Sequence, residues 1–218
     1  MEGKIQTTIQ NFIKNDSKNI LWIYGRSGCG KTGLAGFLSK EFKNKGERVC
    51  SIGIDRLVSL VVKLIRSHKS VESLVSYFQK YDLVVLDDLY IRLSHRPATQ
   101  AEIKNIILAS IKNKKTKFIL ISVKRPRKLR VLKFHTQDCQ YLGLKAPGYK
   151  TKTDLLKEWE KEKDIVIPEK TVVIMANTAK NLFELKGLFT QFYFSKSNPS
   201  SIFIQHDKIR ISKNYKIN

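Results

Sequence analysis

The sequence is poor in acid. Among 218 residues only 19 are Asp or Glu against 41 Lys or Arg, leaving a formal charge of +22 at pH 7. An excess of this size attracts polyanions, DNA or RNA above all. Lys, Ile and Asn are abundant throughout, as an AT-rich coding sequence produces, so part of the excess reads equally as solvated surface. Basic residues nevertheless gather locally, in Lys112 to Lys117 and Lys124 to Arg130. Cysteine is scarce too. Cys29, Cys50 and Cys139 are odd in number, far apart and without Cys-x-x-Cys or His spacing, which excludes a disulfide framework or a zinc site and leaves reduced thiols. Long apolar runs are missing. No stretch approaches the roughly 20 residues that cross a bilayer, and the start MEGKIQTTIQNF lacks the apolar core of a signal peptide, so the expectation is a cytoplasmic chain with no membrane partner. With 42% hydrophobic residues it can still bury a real core.

Against this background one octet stands out. Residues 25 to 32 read GRSGCGKT, a complete G-x-x-x-x-G-K-T phosphate loop. Gly25, Gly28 and Gly30 permit a tight turn that aims successive N–H groups at phosphate oxygens. Lys31 would meet the β and γ phosphates, and Thr32 would offer its hydroxyl to Mg²⁺. An apolar run, Ile20 to Tyr24, precedes the loop, and Leu34, Ala35, Phe37 and Leu38 follow at helical spacing. Strand, loop and helix in that order place the positive end of a helix dipole at the anion. The candidate nucleotide-binding set is Gly25, Arg26, Ser27, Gly28, Cys29, Gly30, Lys31, Thr32 and Gly33.

A second apolar run, Leu83 to Leu86, ends in Asp87-Asp88. A buried parallel strand closing on acids downstream of a phosphate loop has the form of a Walker B motif. Asp87 would join Thr32 as a metal ligand, and Asp88 would polarise the water attacking the γ phosphate. A third apolar strand, Phe118 to Ser122, follows a helical segment from Gln100 to Lys112 in which Ile103, Ile106 and Ile107 share a face. Ser122 at its end is expected near the γ phosphate. The candidate catalytic residues are therefore Lys31, Asp88 and Ser122. Alternating strands and helices predict an α/β fold with a parallel sheet and ligand at the carboxyl ends of its strands.

The ordered set of motifs resembles the AAA+ domain of DnaA-type bacterial replication initiators, with the Hda-like regulators and helicase loaders. WIYGRSGCGKTGL resembles the initiator phosphate loop, YFQKYDLVVLDDL its Walker B strand, and ATQAEI the start of the next helix. FILISVKRPRKL resembles the sensor 1 strand, and DIVIP with NLFELKGLF the lid helices. The resemblance spans about residues 18 to 192. It implies a nucleotide-binding base over 1–145, a helical lid over 146–195 and a basic tail over 196–218, with ATP and Mg²⁺ as ligands and adenine between base and lid. It also implies self-assembly of ATP-bound modules. Single-stranded DNA would be gripped by the stretch Asp55 to His68, where Arg56, Lys63, Arg66 and His68 are basic and Leu57, Leu60, Val61 and Leu64 mark an amphipathic helix; the same spacing describes an ordinary docked helix.

Departures from the family pattern all weaken catalysis. His135 and Cys139 stand where interface arginines are expected, and such a finger contributes about 10³ to 10⁵ in rate in phosphoryl transfer; Arg130 or Lys133 would have to substitute from a displaced position. Phe183 in NLFELKG holds the place of the sensor 2 arginine, and Ile121 and Val123 flank Ser122 where Thr and Asp are typical. The expectation is a weak ATPase, slow or dependent on a partner. The tail SIFIQHDKIRISKNYKIN, read as a short strand pair or basic arm, is too short for a DNA-reading helix-turn-helix domain, so contact with DNA would run through phosphates. The leading function is replication initiation, its regulation, or helicase loading, with an initiator or replicative helicase as partner. The alternative is a nucleotide-gated assembly or target-selection protein of a transposon or phage system. A small-molecule kinase would carry an Arg-rich mobile lid instead of an acidic pair followed by a sensor strand.

Overall fold

The computed structural model describes residues 2–14, 18–67, 70–93, 95–112 and 115–197. The chain divides into two compact units, Met1–Ala146 and Pro147–Asn218. In the first, β1 (Ile20–Tyr24), β2 (Val49–Gly53), β3 (Leu83–Asp87), β4 (Lys117–Ser122) and β5 (Cys139–Gly143) form one sheet in the order β2-β3-β4-β1-β5. Every pairing is parallel, with Trp22 opposite Leu120 on one side and Tyr141 on the other. Parallel strands require crossovers, which are supplied by α2 (Lys31–Asn44), α3 (Ile54–Arg66), α4 (Glu72–Phe78), α5 (Leu89–Leu93) and α6 (Pro97–Ile111). The fold is the expected α/β arrangement, a parallel sheet whose strands are joined through helices.

Strand alternation divides the core into two layers. Trp22, Val84, Leu86, Phe118 and Leu120 face α3, α4, α5 and α6, and Phe78 meets Phe118 edge to face at 5.7 Å. Leu21, Ile23, Val85, Ile119 and Ile121 face the opposite side, against α2 and the N-terminal helix α1 (Glu2–Lys14) through Ala35, Leu38, Phe42 and Phe12. Each such side chain contributes about 1.5–3 kcal/mol by leaving water, which is why the strands read as continuous apolar runs. Lys117 ties α1 down: its ammonium donates to Phe12 O at 2.9 Å and Ile13 O at 3.3 Å, at the negative end of that helix.

Some boundaries differ from the sequence reading. The helix expected from Gln100 begins at Pro97, because proline suits a first helical position where no N–H is needed. On α3 the buried residues are Ile54, Leu57, Val58 and Val61, whereas Leu60 is exposed. Arg56, Lys63 and Arg66 are exposed; His68 lies outside the described residues, as does the tail from residue 198.

The second unit has its own small core. Helices α7 (Tyr149–Glu162), α8 (Glu169–Thr178) and α9 (Leu182–Ser197) bury Leu156, Ile167, Met175, Leu185 and Phe189. Lys152 donates to Ala176 O and Ala179 O at 2.9 and 2.6 Å, satisfying carbonyls at the end of α8. Asn181 and Glu184 form a reciprocal cap: Asn181 Oδ1 accepts from the Phe183 and Glu184 amides while Glu184 Oε2 accepts from Lys180 N–H. Among the described residues no helix is long and apolar enough to cross a membrane.

Candidate functional site

The phosphate loop leaves β1 at its carboxyl end and closes into α2. Gly30 caps that helix with φ 94, a left-handed value that a side chain disfavours. Gly25 is required for a different reason: a Cβ there would lie 2.4 Å from Leu144 O and 2.8 Å from Cys29 Sγ. The loop is thus pressed against the chain leaving β5, where Leu144 N–H also donates to Tyr24 O at 2.8 Å. Gly28 and Cys29 are buried, while Arg26, Ser27, Thr32 and Gly33 are exposed along the outer side.

Lys31 is only 8% exposed. Its ammonium donates to Gly25 O at 2.8 Å and Arg26 O at 2.9 Å, with Cys29 Sγ at 3.9 Å. One cation therefore ties two successive carbonyls of the loop together and holds it curved.

Thr32 and Asp87, 55 residues apart in sequence, meet directly. The Thr32 hydroxyl donates to Asp87 Oδ2 at 3.0 Å, and Asp87 Oδ1 accepts the Asp88 N–H at 2.7 Å. A hydroxyl and a carboxylate side by side are hard oxygen donors of the kind that bind Mg²⁺ together with phosphate. Among the described residues there is no cluster of three or more His, Cys, Asp or Glu that could hold a metal by itself. Asp88 has φ 61, a left-handed backbone that short acids tolerate and that occurs often at functional sites. Its carboxyl is pushed above its ordinary range, first by partial desolvation and then by the charge of Asp87, with Lys31 opposing. Asp88 is thus a better proton acceptor than a free carboxylate.

Ser122 behaves differently from expectation. Its side chain is 1% exposed; the hydroxyl accepts from Trp22 Nε1 at 2.9 Å and donates to Lys124 O at 2.7 Å. With its proton committed and its surface covered, the hydroxyl has no free path to a phosphate. The backbone does reach the site, since Ser122 O accepts from Gly25 N–H at 3.2 Å. That contact belongs to the backbone and not to the serine side chain. Cys139 also departs from its expected place. It is the first residue of β5, in register with Ile20, 2% exposed, and burial pushes its thiol up to about 12. This position is sheet core, where an interface arginine would be buried without a partner. His135, Arg130 and Lys133 are exposed. Phe183, on the second unit, is 71% exposed at the start of α9.

The sequence matches the bacterial DnaA ATPase domain over residues 4–146. The chain belongs to the bacterial DnaA ATPase-domain family. It is 24% identical over 180 residues to the chromosomal replication initiator DnaA of Sulfurimonas denitrificans, which covers 80% of this chain and 41% of that protein. The chain thus spans about two fifths of the length of the curated relatives it matches. Domain III of the Thermotoga maritima initiator superposes with a TM-score of 0.76 at 18% identity, covering 93% of this chain and 87% of that one. A DnaA initiator bound to AMPPCP and single-stranded DNA superposes at 0.72 with 24% identity, covering 87% and 60%. Both likenesses establish the DnaA domain III fold.

Two structural contributors were not singled out from sequence. Leu144 O, which makes Gly25 obligatory, is a backbone atom and leaves no residue-type signal. Trp22 could have been suspected, since a buried indole N–H usually needs an acceptor.

Proposed function

We propose that this DnaA-family module binds ATP with Mg²⁺, hydrolyses it slowly or only with a partner, and contacts single-stranded DNA through its phosphates during replication initiation, its regulation, or helicase loading. The observation that carries the reading is the Thr32–Asp87 hydrogen bond at 3.0 Å, which joins phosphate loop and acidic strand into one oxygen-lined site. The loop amides and Lys31 would hold the triphosphate, Thr32 and Asp87 the metal, and Asp88 would orient the attacking water. Bound Mg²⁺ would supply charge neutralisation at the phosphates. Slow turnover is supported by the exposed Phe183 and the internally bonded Ser122, neither of which can stabilise charge developing on the γ phosphate.

The DNA part of the proposal draws on the net charge of +22, on exposed Arg56, Lys63 and Arg66 along α3, and on the relative solved with single-stranded DNA. Fluorescence anisotropy with a labelled single-stranded oligonucleotide tests it. Affinity should rise when ATP and Mg²⁺ are present, fall steeply with salt, and lose its ATP dependence in Lys31→Ala. Binding indifferent to nucleotide in the wild-type protein contradicts the proposal. Recovery of an initiator or replicative helicase in an ATP-dependent pull-down would identify the protein partner.

A further inference from the structure

The base carries a second concave site that shares no residue with the phosphate loop. A cavity of about 650 Å³ lies between the start of α6, at Pro97 and Gln100, and the segment bearing Arg127, Lys128, Arg130 and Val131. Its volume falls in the range of small-ligand sites, about 300–1,000 Å³.

The segment is built to present charge. Pro126, Leu129, Leu132 and Phe134 are buried, while Arg127, Lys128, Arg130 and Lys133 alternate with them and are exposed. Backbone bonds stiffen it: Lys128 N–H donates to Arg125 O at 2.9 Å, Leu129 N–H to Pro126 O at 2.8 Å and Lys133 N–H to Leu129 O at 3.1 Å. Gln100, 4% exposed, braces the floor: its Nε2 donates to Leu93 O at 2.7 Å and its Oε1 accepts from Leu132 N–H at 3.3 Å. The cations are thus carried on an anchored frame rather than on a free loop. Among the described residues, Arg127, Lys128 and Arg130 have no ion-pair partner, and the first turn of α6 has neither a capping side chain nor an acid.

We propose that this cavity is a second phosphate site, which takes a compact anion carrying two or more phosphate groups, gripped by Arg127, Lys128 and Arg130 and supported by the positive end of α6. Guanidinium groups match phosphate oxygens in pairs, and the helix terminus adds a fixed partial charge. Among the described residues no aromatic ring lines the cavity, so the lining offers phosphates its cations and offers a nucleobase no stacking partner. Two sources carry this chemistry: a free oligophosphate, including one borne by a nucleotide, and adjacent phosphates of a nucleic-acid strand.

The test uses the full chain with Lys31→Ala, so that the phosphate loop does not contribute, and titrates inorganic tripolyphosphate by calorimetry at 0.15 M salt. Saturable binding of one equivalent is expected. Adding R127Q, K128Q and R130Q should weaken it at least tenfold, whereas removing the same charge from the second unit with K157Q, K161Q and K170Q should change it less than twofold. All six side chains are exposed, and circular dichroism checks that the variants keep the fold; R130Q alone should give a smaller loss of the same sign. Absence of saturable binding, or equal losses in the two triple variants, overturns the proposal. Competition then separates the sources: displacement by a (dT)₂₀ strand at comparable phosphate concentration assigns the site to nucleic acid, and displacement by tripolyphosphate-bearing nucleotides alone assigns it to a free ligand. Failure here leaves wild-type ATP binding untouched, so the two readings fall separately.

Discussion

The base presents anion-seeking groups in two places, and they are assembled in opposite ways. At the phosphate loop the proposed donors are backbone amides around one nearly covered lysine, with the loop's shape set by Gly25, Gly30 and the carbonyls that Lys31 grips. Along Lys124 to Lys133, six of ten residues are cationic, and the charge sits at the ends of long side chains on a segment pinned from below. The first arrangement spends little charge and much geometry; the second does the reverse. A site of the first kind should fail abruptly when one atom is added or one charge removed, and a site of the second kind should weaken by steps.

The sharpest break is Lys31→Ala. It removes the ammonium that bonds two loop carbonyls and that, in the proposed function, meets phosphate, and a loss of ATP affinity of about 100-fold, or 2.7 kcal/mol, is expected by calorimetry. A change under threefold would show that the amides suffice alone. Next is Gly25→Ala, whose added carbon meets a backbone oxygen at 2.4 Å and cannot be relieved by a rotamer change. ATP affinity should fall about tenfold with a lowered Tm, since strain of this kind costs on the order of 1–3 kcal/mol. Unaltered Tm and affinity would mean that the loop and the segment at Leu144 are not pressed together.

The smallest effect on affinity is expected from Asp88→Asn, which should bind ATP within about twofold of wild type while losing residual hydrolysis. Its stability has a defined sign. Because the folded-state carboxyl titrates above its ordinary value of 3.8, the protein is more stable with Asp88 protonated, and that advantage disappears as pH rises through the raised pKa. The neutral amide should therefore raise Tm at pH 7 by about 1–2 °C, the scale of an exposed charge effect. The gain should vanish in acid. A lower Tm at pH 7 would show that the ionised carboxylate is needed by the fold.

Much of this was legible in the chain because the relevant patterns are local. The phosphate loop, the acids closing β3 and the apolar runs of β1, β3 and β4 each occupy fewer than ten consecutive residues and fold as read. What escaped is what depends on neighbours distant in sequence. β5, reading Cys-Gln-Tyr-Leu-Gly, has a polar residue at its second position and ends in glycine, and its partner β1 is distant in sequence. For the same reason Cys139 read as a vacant arginine position although it is a core residue. Ser122 was placed correctly on the sheet, yet the fate of its hydroxyl depended on Trp22, 100 residues away. The exposed side of α3 was visible by period, but the residue chosen for burial shifted from Leu60 to Val58 because helical spacing alone does not fix which edge of an apolar stripe meets the sheet.

The most direct measurement is a calorimetric titration of the wild-type chain with ATP, with and without Mg²⁺, beside Asp87→Asn. Saturable binding of one equivalent is predicted, tighter with the metal in the wild type and indifferent to it in the variant. No binding heat from ATP with Mg²⁺, or an Asp87→Asn protein that responds to the metal as the wild type does, would contradict a nucleotide site built on Lys31, Thr32 and Asp87.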